Sequence, residues 1–173
     1  MSIKTRPSDS PAPDGWTASL ADAIAASLRE FAPRLQGSEV ALLTVICLPW
    51  HGLLSLAILT AEELAEDARL ADPRTTMDWQ HGELTEEVES WGLTTPLAQE
   101  MRAAYYSSPD CPATALAFLR ACATAAATFT VAEAVSLLKR AGGFRISVPH
   151  PDDGREFFPP VAEPGAAPDP AGT

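Results

Sequence analysis

Basic residues are scarce in this sequence, where twelve lysines and arginines stand against 23 aspartates and glutamates, giving a net charge of −11. Binding to the phosphate backbone of a nucleic acid, or to an anionic lipid surface, depends on clustered cations. We therefore expect neither a nucleic acid nor a membrane as a partner of this protein.

Cysteine is also scarce, and the three cysteines, Cys47, Cys111 and Cys122, stand at unrelated spacings. This odd number does not suggest a disulfide framework, and a cysteine in an apolar context behaves as a small hydrophobic residue. The first fifteen residues are polar and proline-rich, and they lack the apolar segment of a secretory signal. These features predict a reduced, cytoplasmic protein.

The common catalytic motifs are missing as well: the sequence has no glycine-rich phosphate loop, no G-x-S-x-G and no H-E-x-x-H. His81-Gly82-Glu83 matches the H-x-E half of the nucleobase deaminase signature, but Cys111 and Cys122 do not supply its P-C-x-x-C half. We therefore expect no catalytic residues, no metal and no cofactor. The alternative is a small zinc- or thiol-dependent enzyme that uses His81 and Glu83.

What the sequence does have is a long stretch without a formal charge, Val40 to Thr60, interrupted by Pro49-Trp50-His51-Gly52. Its β-branched residues and its central Pro and Gly favour a buried β-hairpin. Because neither strand alternates with charged residues, both faces should be covered, and we expect Ile46 to lie in the core. A membrane-spanning helix is disfavoured, since Pro49 would remove a hydrogen bond near its middle.

Hydrophobic periodicity and capping patterns predict the remaining elements. They are a helix from Trp16 to Pro33 or Leu35, a helix from Thr60 to about Ala71, a short acidic helix from Leu84 to Trp91, a helix from Thr95 to about Tyr106, one or two helices between Cys111 and Ala141, and an edge strand from Phe144 to Val148. The fold class is α+β, with a small, mostly antiparallel sheet whose central apolar hairpin packs against several helices. This single domain covers residues 15–158, between tails at 1–14 and 159–173 that we expect to be disordered.

The segment from Glu62 to Glu89 concentrates the negative charge, with ten acids and two arginines, Arg69 and Arg74. Such a region is either a solubilising face or a docking surface for a basic protein. An exposed tryptophan inside a polar rim is a typical anchor of a protein interface. The candidate binding residues are therefore Trp50, His51, Asp78, Trp79, Glu83, Glu86, Glu87 and Glu89.

The order of these features resembles a known group of proteins. An amphipathic helix, an apolar hairpin, an acidic helix, Met77-Asp78-Trp79, buried C-terminal helices and a strand FRISV before PDDG follow one another from Trp16 to Phe158. This order is similar to that of small α+β immunity-type proteins of uncharacterised function from bacterial toxin systems. The resemblance implies a non-enzymatic protein that neutralises a toxin domain, with the acidic segment facing a basic toxin such as a nuclease. A self-associating structural or regulatory subunit is a further alternative, and a homo-oligomer stays open.

Overall fold

A three-stranded sheet forms the centre of the protein in a computed structural model, which describes residues 12–13, 15–84 and 87–160. Strand β1 (Val40–Leu48) and strand β2 (Leu53–Thr60) pair antiparallel, so the predicted hairpin is confirmed. Strand β3 (Arg140–Ser147) pairs with the other edge of β1. The tails expected to be disordered lie outside the described residues, apart from residues 12–13 and 159–160.

The described part of the chain also contains five α-helices, which together with the sheet confirm the α+β class. They are α1 (Trp16–Phe31), α2 (Ala61–Glu66), α3 (Thr95–Ser107), α4 (Cys111–Ala126) and α5 (Phe129–Val135). The helix predicted from Trp16 is thus present, and a 3-10 turn at Ala32–Leu35 extends it. The helix predicted from Thr95 is present as well.

Both faces of the hairpin are covered, as its lack of charge predicts. On one face, Val45 and Leu56 join a large core with α1, α4 and α5. Trp16 contributes its ring to this core and donates its indole N–H to the Leu97 carbonyl at 3.0 Å, because a buried polar group needs a partner. On the other face, a smaller cluster forms from Leu42, Ala57, Leu59 and Trp79.

The sheet is mixed rather than mostly antiparallel, because β3 runs parallel to β1. After β2 the chain passes through the helices and returns on the far side of β1, a crossover that allows parallel pairing. β3 also starts earlier than predicted. Its register moves from Val40–Arg140 to Leu42–Arg145, so Gly142-Gly143 lie in a bulge of the strand.

The helix after β2 is shorter than predicted. It begins after Thr60 as predicted, and a capping box forms there: Thr60 Oγ1 accepts from the Glu63 N–H at 3.3 Å, and Glu63 Oε2 accepts from the Thr60 N–H at 3.1 Å. The helix nevertheless ends at Glu66 and not near Ala71. Asp67 adopts an extended backbone and its carboxylate accepts from the Arg69 N–H, which starts a separate 3-10 turn.

The acidic helix predicted for Leu84–Trp91 is wrong for the residues that the structure describes there. Val88 is extended, and a 3-10 turn follows at Glu89–Thr94. The Glu30 carboxylate of α1 accepts from the backbone N–H groups of Glu89 and Ser90, at 3.0 and 3.1 Å. Tertiary hydrogen bonds to α1 therefore replace the local bonds of a helix.

Of the two alternatives for residues 111–141, the structure has two helices. They meet at a bend of 60°. The break falls at Ala127–Thr128, where Thr128 Oγ1 accepts from the Val131 N–H at 3.4 Å and caps α5. The helical region ends at Val135, before the predicted limit at Ala141, since β1 pairs with the chain from Arg140 onward.

Replacing Val45 with Asp should abolish folding, because Val45 is fully buried on the helix-covered face and a carboxylate there would be unpaired. Ile46 is only half-buried, so the expectation that it lies fully in the core is corrected. Ile46→Asp should therefore yield a folded protein with a lowered melting temperature. Soluble expression and thermal melts of both variants test this difference. A Val45→Asp protein that melts like the wild type would contradict the described packing.

Candidate functional site

Trp50 and His51 lie in a 3-10 turn that joins β1 to β2. Trp50 is half-buried against Tyr105 of α3, with ring centroids 6.2 Å apart, and its carbonyl accepts from the Tyr106 hydroxyl at 3.0 Å. His51 is exposed. Gly52 closes the turn with a φ of +61°, where a side chain would also press on Arg102. This end of the hairpin thus presents an aromatic surface held by α3.

Trp79, the second candidate anchor, is not available to a partner. Its side chain is 5% exposed and packs with Leu42 and Leu59 against the sheet. Its indole N–H donates to Thr75 Oγ1 at 3.3 Å. The acidic, polar sequence around Trp79 favours a surface position. However, the face of the hairpin away from the helices needs an apolar cover, and Trp79 is part of that cover.

The segment from Trp79 to Trp91 runs along the outer edge of β2. The Ile58 N–H donates to the His81 carbonyl at 2.9 Å, and the Trp91 indole N–H donates to the Leu54 carbonyl at 3.1 Å. The described apolar residues between these anchors, Leu84 and Val88, are buried, whereas the carboxylates of Glu83 and Glu89 face outward. Asp78, Glu83 and Glu89 are exposed, Glu87 is half-buried with Oε1 3.5 Å from His81 Nδ1, and Glu86 lies outside the described residues.

The two arginines of the acidic segment are occupied by the nearest aspartates. Arg69 contacts Asp67 at 2.6 Å and Arg74 contacts Asp72 at 2.7 Å, each through two guanidinium nitrogens. The Arg69 guanidinium lowers the pKa of Asp67 to about 2, and Arg74 lowers the pKa of Asp72 in the same way. These pairs are local, and among the described residues neither arginine forms an ion pair with a further acid of the segment.

A cavity of about 260 Å³ opens on the face of the hairpin away from the helices. Its floor contains Ser55, which is 3% exposed, and Ile46, its cross-strand neighbour. Its rim contains the exposed residues Met77, Glu83 and Arg74. The remaining lining residues are Cys47, Leu48, Leu53, Pro73, Thr76, Gly82, Pro149 and Pro151. The cavity therefore joins the end of the hairpin to the acidic segment.

Two chain segments distant in sequence form the walls of this cavity. Residues 73–83 form one wall, tied to β3 where Arg145 Nη2 donates to the Ala71 carbonyl at 2.7 Å. Pro149 and Pro151 form the other. This second wall is held by Glu156, whose carboxylate accepts from the Val148 N–H at 2.6 Å and the Ser147 hydroxyl at 2.5 Å. The walls are thus fixed by specific hydrogen bonds.

Ser55 is not among the residues that the sequence singles out, but its hydroxyl has an unusual environment. Within the described residues, its Oγ has no hydrogen-bond partner, and the same holds for Thr44 in β1 and Ser27 in α1. Buried hydroxyls without a partner are uncommon and costly. A lone serine in the apolar run LLSLAIL could have drawn attention to this position.

Several groups considered for catalysis make other contacts. His81 packs edge-on against Phe31 at 4.9 Å, and Cys111 donates to the Tyr105 carbonyl at 3.3 Å. A hydrogen bond with Cys122 and burial raise the pKa of Cys47, which keeps its thiol protonated and unreactive. Among residues 12–13, 15–84 and 87–160, no three His, Cys, Asp or Glu side chains are arranged to hold a metal ion.

Comparison with known proteins identifies no relative: no family model, no curated protein and no solved structure matches the chain. In the described part of the chain, no single helix has the length and apolar composition to cross a bilayer; only α4 and α5 taken together, as a bent pair, meet that criterion.

Gly82→Ala should displace one wall of the cavity. A Cβ on Gly82 would lie 1.8 Å from the Thr76 carbonyl oxygen, so the 76–82 backbone has to move, at a cost of about 1–3 kcal/mol. Chemical denaturation measures this loss. Gly92→Ala is the control, because a Cβ there meets nothing within 4 Å. Equal stability of the two variants would show that the close approach at Gly82 is absent.

Glu30 should contribute to stability at neutral pH and lose that contribution in acid. Hydrogen bonds from the Ser90 hydroxyl and from two backbone N–H groups lower the pKa of Glu30 below its ordinary value of 4.5. The unfolded chain therefore takes up this proton first, and the stabilisation, complete above pH 4.5, fades as the pH falls through the lowered pKa. Glu30→Gln should lower the melting temperature most at pH 7 and progressively less below pH 4.5.

Melting curves of the wild type and the Glu30 variant across this range test the expectation. Asp22→Asn, an exposed acid of the same helix, is the control and should change the melting temperature little at any pH. A difference between wild type and Glu30→Gln that is constant across the range would contradict the proposed role of the carboxylate.

Proposed function

We propose that this protein is a non-catalytic binding module for a basic protein partner. The observation that carries the proposal is the cavity at the end of the hairpin, whose apolar interior opens beside the exposed carboxylate of Glu83. Protein interfaces commonly combine an apolar centre with a polar or charged rim. The described surface offers both features at one place.

The rim of the cavity is suited to direct contact with a partner. Met77 is 85% exposed and Leu53 is 36% exposed, and both line the cavity. Methionine is enriched at interfaces, because its flexible thioether adapts to the opposing surface. Contact with a partner would remove these two apolar side chains from water.

The charge of the acidic segment supports a basic partner. Arg69 and Arg74 are each paired with an adjacent aspartate, so they do not neutralise the exposed carboxylates of Glu62, Glu66 and Glu83. An uncompensated field of one sign accelerates encounter with an oppositely charged protein and disfavours acidic partners.

An immunity protein that neutralises a basic bacterial toxin domain, such as a nuclease, is the particular form of this proposal. A nuclease domain that binds a phosphate backbone carries clustered cations, which an acidic surface would complement. The Trp50 and His51 turn would then lie beside the docking surface, because Leu48 and Leu53, which flank this turn, line the cavity.

Three acid-to-amide changes in the acidic segment, Glu62→Gln, Glu66→Gln and Glu83→Gln, should slow association with the partner without loss of folding. Exposed charges contribute little to stability, about 0–1 kcal/mol per pair, but they steer encounter. The partner is captured from the native host, identified and purified. Association rates are then measured at low and physiological ionic strength, where salt should slow the wild type more than the variant.

A second triple variant, Asp22→Asn, Glu100→Gln and Glu133→Gln, is the control. It removes the same charge from exposed positions of α1, α3 and α5. It should retain most of the wild-type association rate. An acidic partner, or a rate that both triple variants change equally, would contradict the proposal and leave the acidic segment as a solubilising face.

A further inference from the structure

We infer that the free edge of β3 receives an extended, acidic segment of a partner protein, which adds a fourth strand to the sheet. β3 lies at the opposite edge of the sheet from β2, and none of its residues lines the cavity of the proposed function. The inference therefore goes beyond that function. Three properties of β3 lead to it: its unpaired edge, the groove beside its glycine bulge and its positive charge.

The outer edge of β3 has no strand beside it in the described part of the chain. The strand order is β2, β1, β3, and among the described elements β3 makes extensive contacts with β1 alone. Backbone N–H and C=O groups point alternately to either side of a strand, so alternate groups of β3 point away from β1. Within residues 15–84 and 87–160, no loop backbone and no side chain hydrogen-bonds to the backbone of residues 141–147. Such a row of unpaired groups is a template for another strand.

An open groove of about 460 Å³ lies along the start of this edge. It is lined by Leu138, Arg140, Ala141, Gly142 and Phe144. The four residues Ala141 to Phe144 oppose a single residue of β1, Ala41, so the strand bulges here. A Cβ on Gly142 or Gly143 would meet nothing of the described chain within 4 Å. Glycine inside a strand often marks a place where another backbone approaches closely, and here the space for that backbone is open.

The charge of this edge selects an acidic occupant. Of the described residues that line the groove, Arg140 alone is charged; it is exposed and forms no ion pair with the described acids. Between Ala134 and Pro151 the sequence has Lys139, Arg140 and Arg145 but no acidic residue, although the whole chain carries a net charge of −11. Lys139 lies 3.4 Å from Glu39, an exposed pair of small energetic weight. A carboxylate is therefore attracted to this edge and a cation is repelled.

A separate partner fits this edge better than the chain itself does. A second copy that paired edge to edge would bring the same cations to the same place, and like charges facing each other across two strands are destabilising. Residues 161–173 of the chain are acidic but contain Pro164, Pro168 and Pro170. Proline has no N–H to donate to a strand ladder, so this segment is a poor fourth strand.

The first test compares two peptides on the full chain. In a titration followed by amide chemical shifts, acetyl-Glu-Val-Glu-Val-Glu-Val-amide should bind at residues 140–147 with a Kd on the order of 1 mM. The matched peptide acetyl-Lys-Val-Lys-Val-Lys-Val-amide should bind more weakly. Arg140→Gln should weaken binding of the acidic peptide about two- to fivefold, the effect of one exposed ion pair.

Arg120→Gln is the control, since Arg120 is an exposed arginine of α4 away from this groove. It removes the same charge and should leave the affinity of the acidic peptide unchanged. Equal affinities of the two peptides for the wild type, shifts that lie outside residues 140–147, or equal effects of the two arginine variants would overturn the inference.

The second test asks whether the peptide binds through its backbone. A strand added to β3 uses the N–H groups along one of its two edges. N-methylation of the three valines leaves the other edge free and should keep binding, whereas N-methylation of all six residues should abolish it. The acidic peptide should also slow hydrogen exchange at alternate amides of residues 140–147. Binding of the fully methylated peptide, or unchanged exchange along β3, would refute strand addition.

Sedimentation of the full chain without peptide tests the alternative occupant. We expect a species of one chain at micromolar concentration, since the cations of β3 disfavour edge-to-edge pairing. A dimer that dissociates when the acidic peptide is added would show that a second copy covers this edge, and it would overturn the inference of an acidic partner.

Discussion

The structure depends on one constraint, which is that a hairpin without charged side chains has to be covered on both faces. Residues of α1, α3, α4 and α5 form the large core on one face. The other face is covered by Leu64 of α2, by Leu70 and Trp79, and, around the cavity, by residues 73–83 and the chain at Pro149 and Pro151. The cavity lies where residues 73–83 and the chain at Pro149 and Pro151 meet over Ser55.

The same constraint arranges the acidic segment. Its apolar residues Trp79, Leu84, Val88 and Trp91 are buried, and backbone or indole hydrogen bonds fix it to β2 at Ile58 and Leu54. An acidic chain that is anchored by its apolar residues has to place its carboxylates outward. The same packing therefore produces both the charged surface and the apolar cavity, and it brings Glu83 and Met77 to the rim of that cavity.

Much of the fold could be predicted from the sequence, because the signals involved are local. The lack of charge between Val40 and Thr60 predicts the hairpin, the stripe from Trp16 predicts α1, and Thr60 with Glu63 predicts the start of α2. The errors occur where distant contacts override local preference. Glu30 supplies the hydrogen bonds that a helix over residues 84–91 would otherwise make, and pairing with β1 draws Gly142-Gly143 into β3.

The sequence by itself determined the α+β class, the apolar hairpin and the concentration of acids, because periodicity, capping and composition act over a few residues. Only the tertiary structure decided that Trp79 is buried, that β3 is parallel, and that Arg69 and Arg74 are occupied by Asp67 and Asp72. The existence of the cavity was also decided only by the tertiary structure. Ser55, Glu83 and Pro149 are far apart in the chain, and they meet only when three segments pack on one face of the sheet.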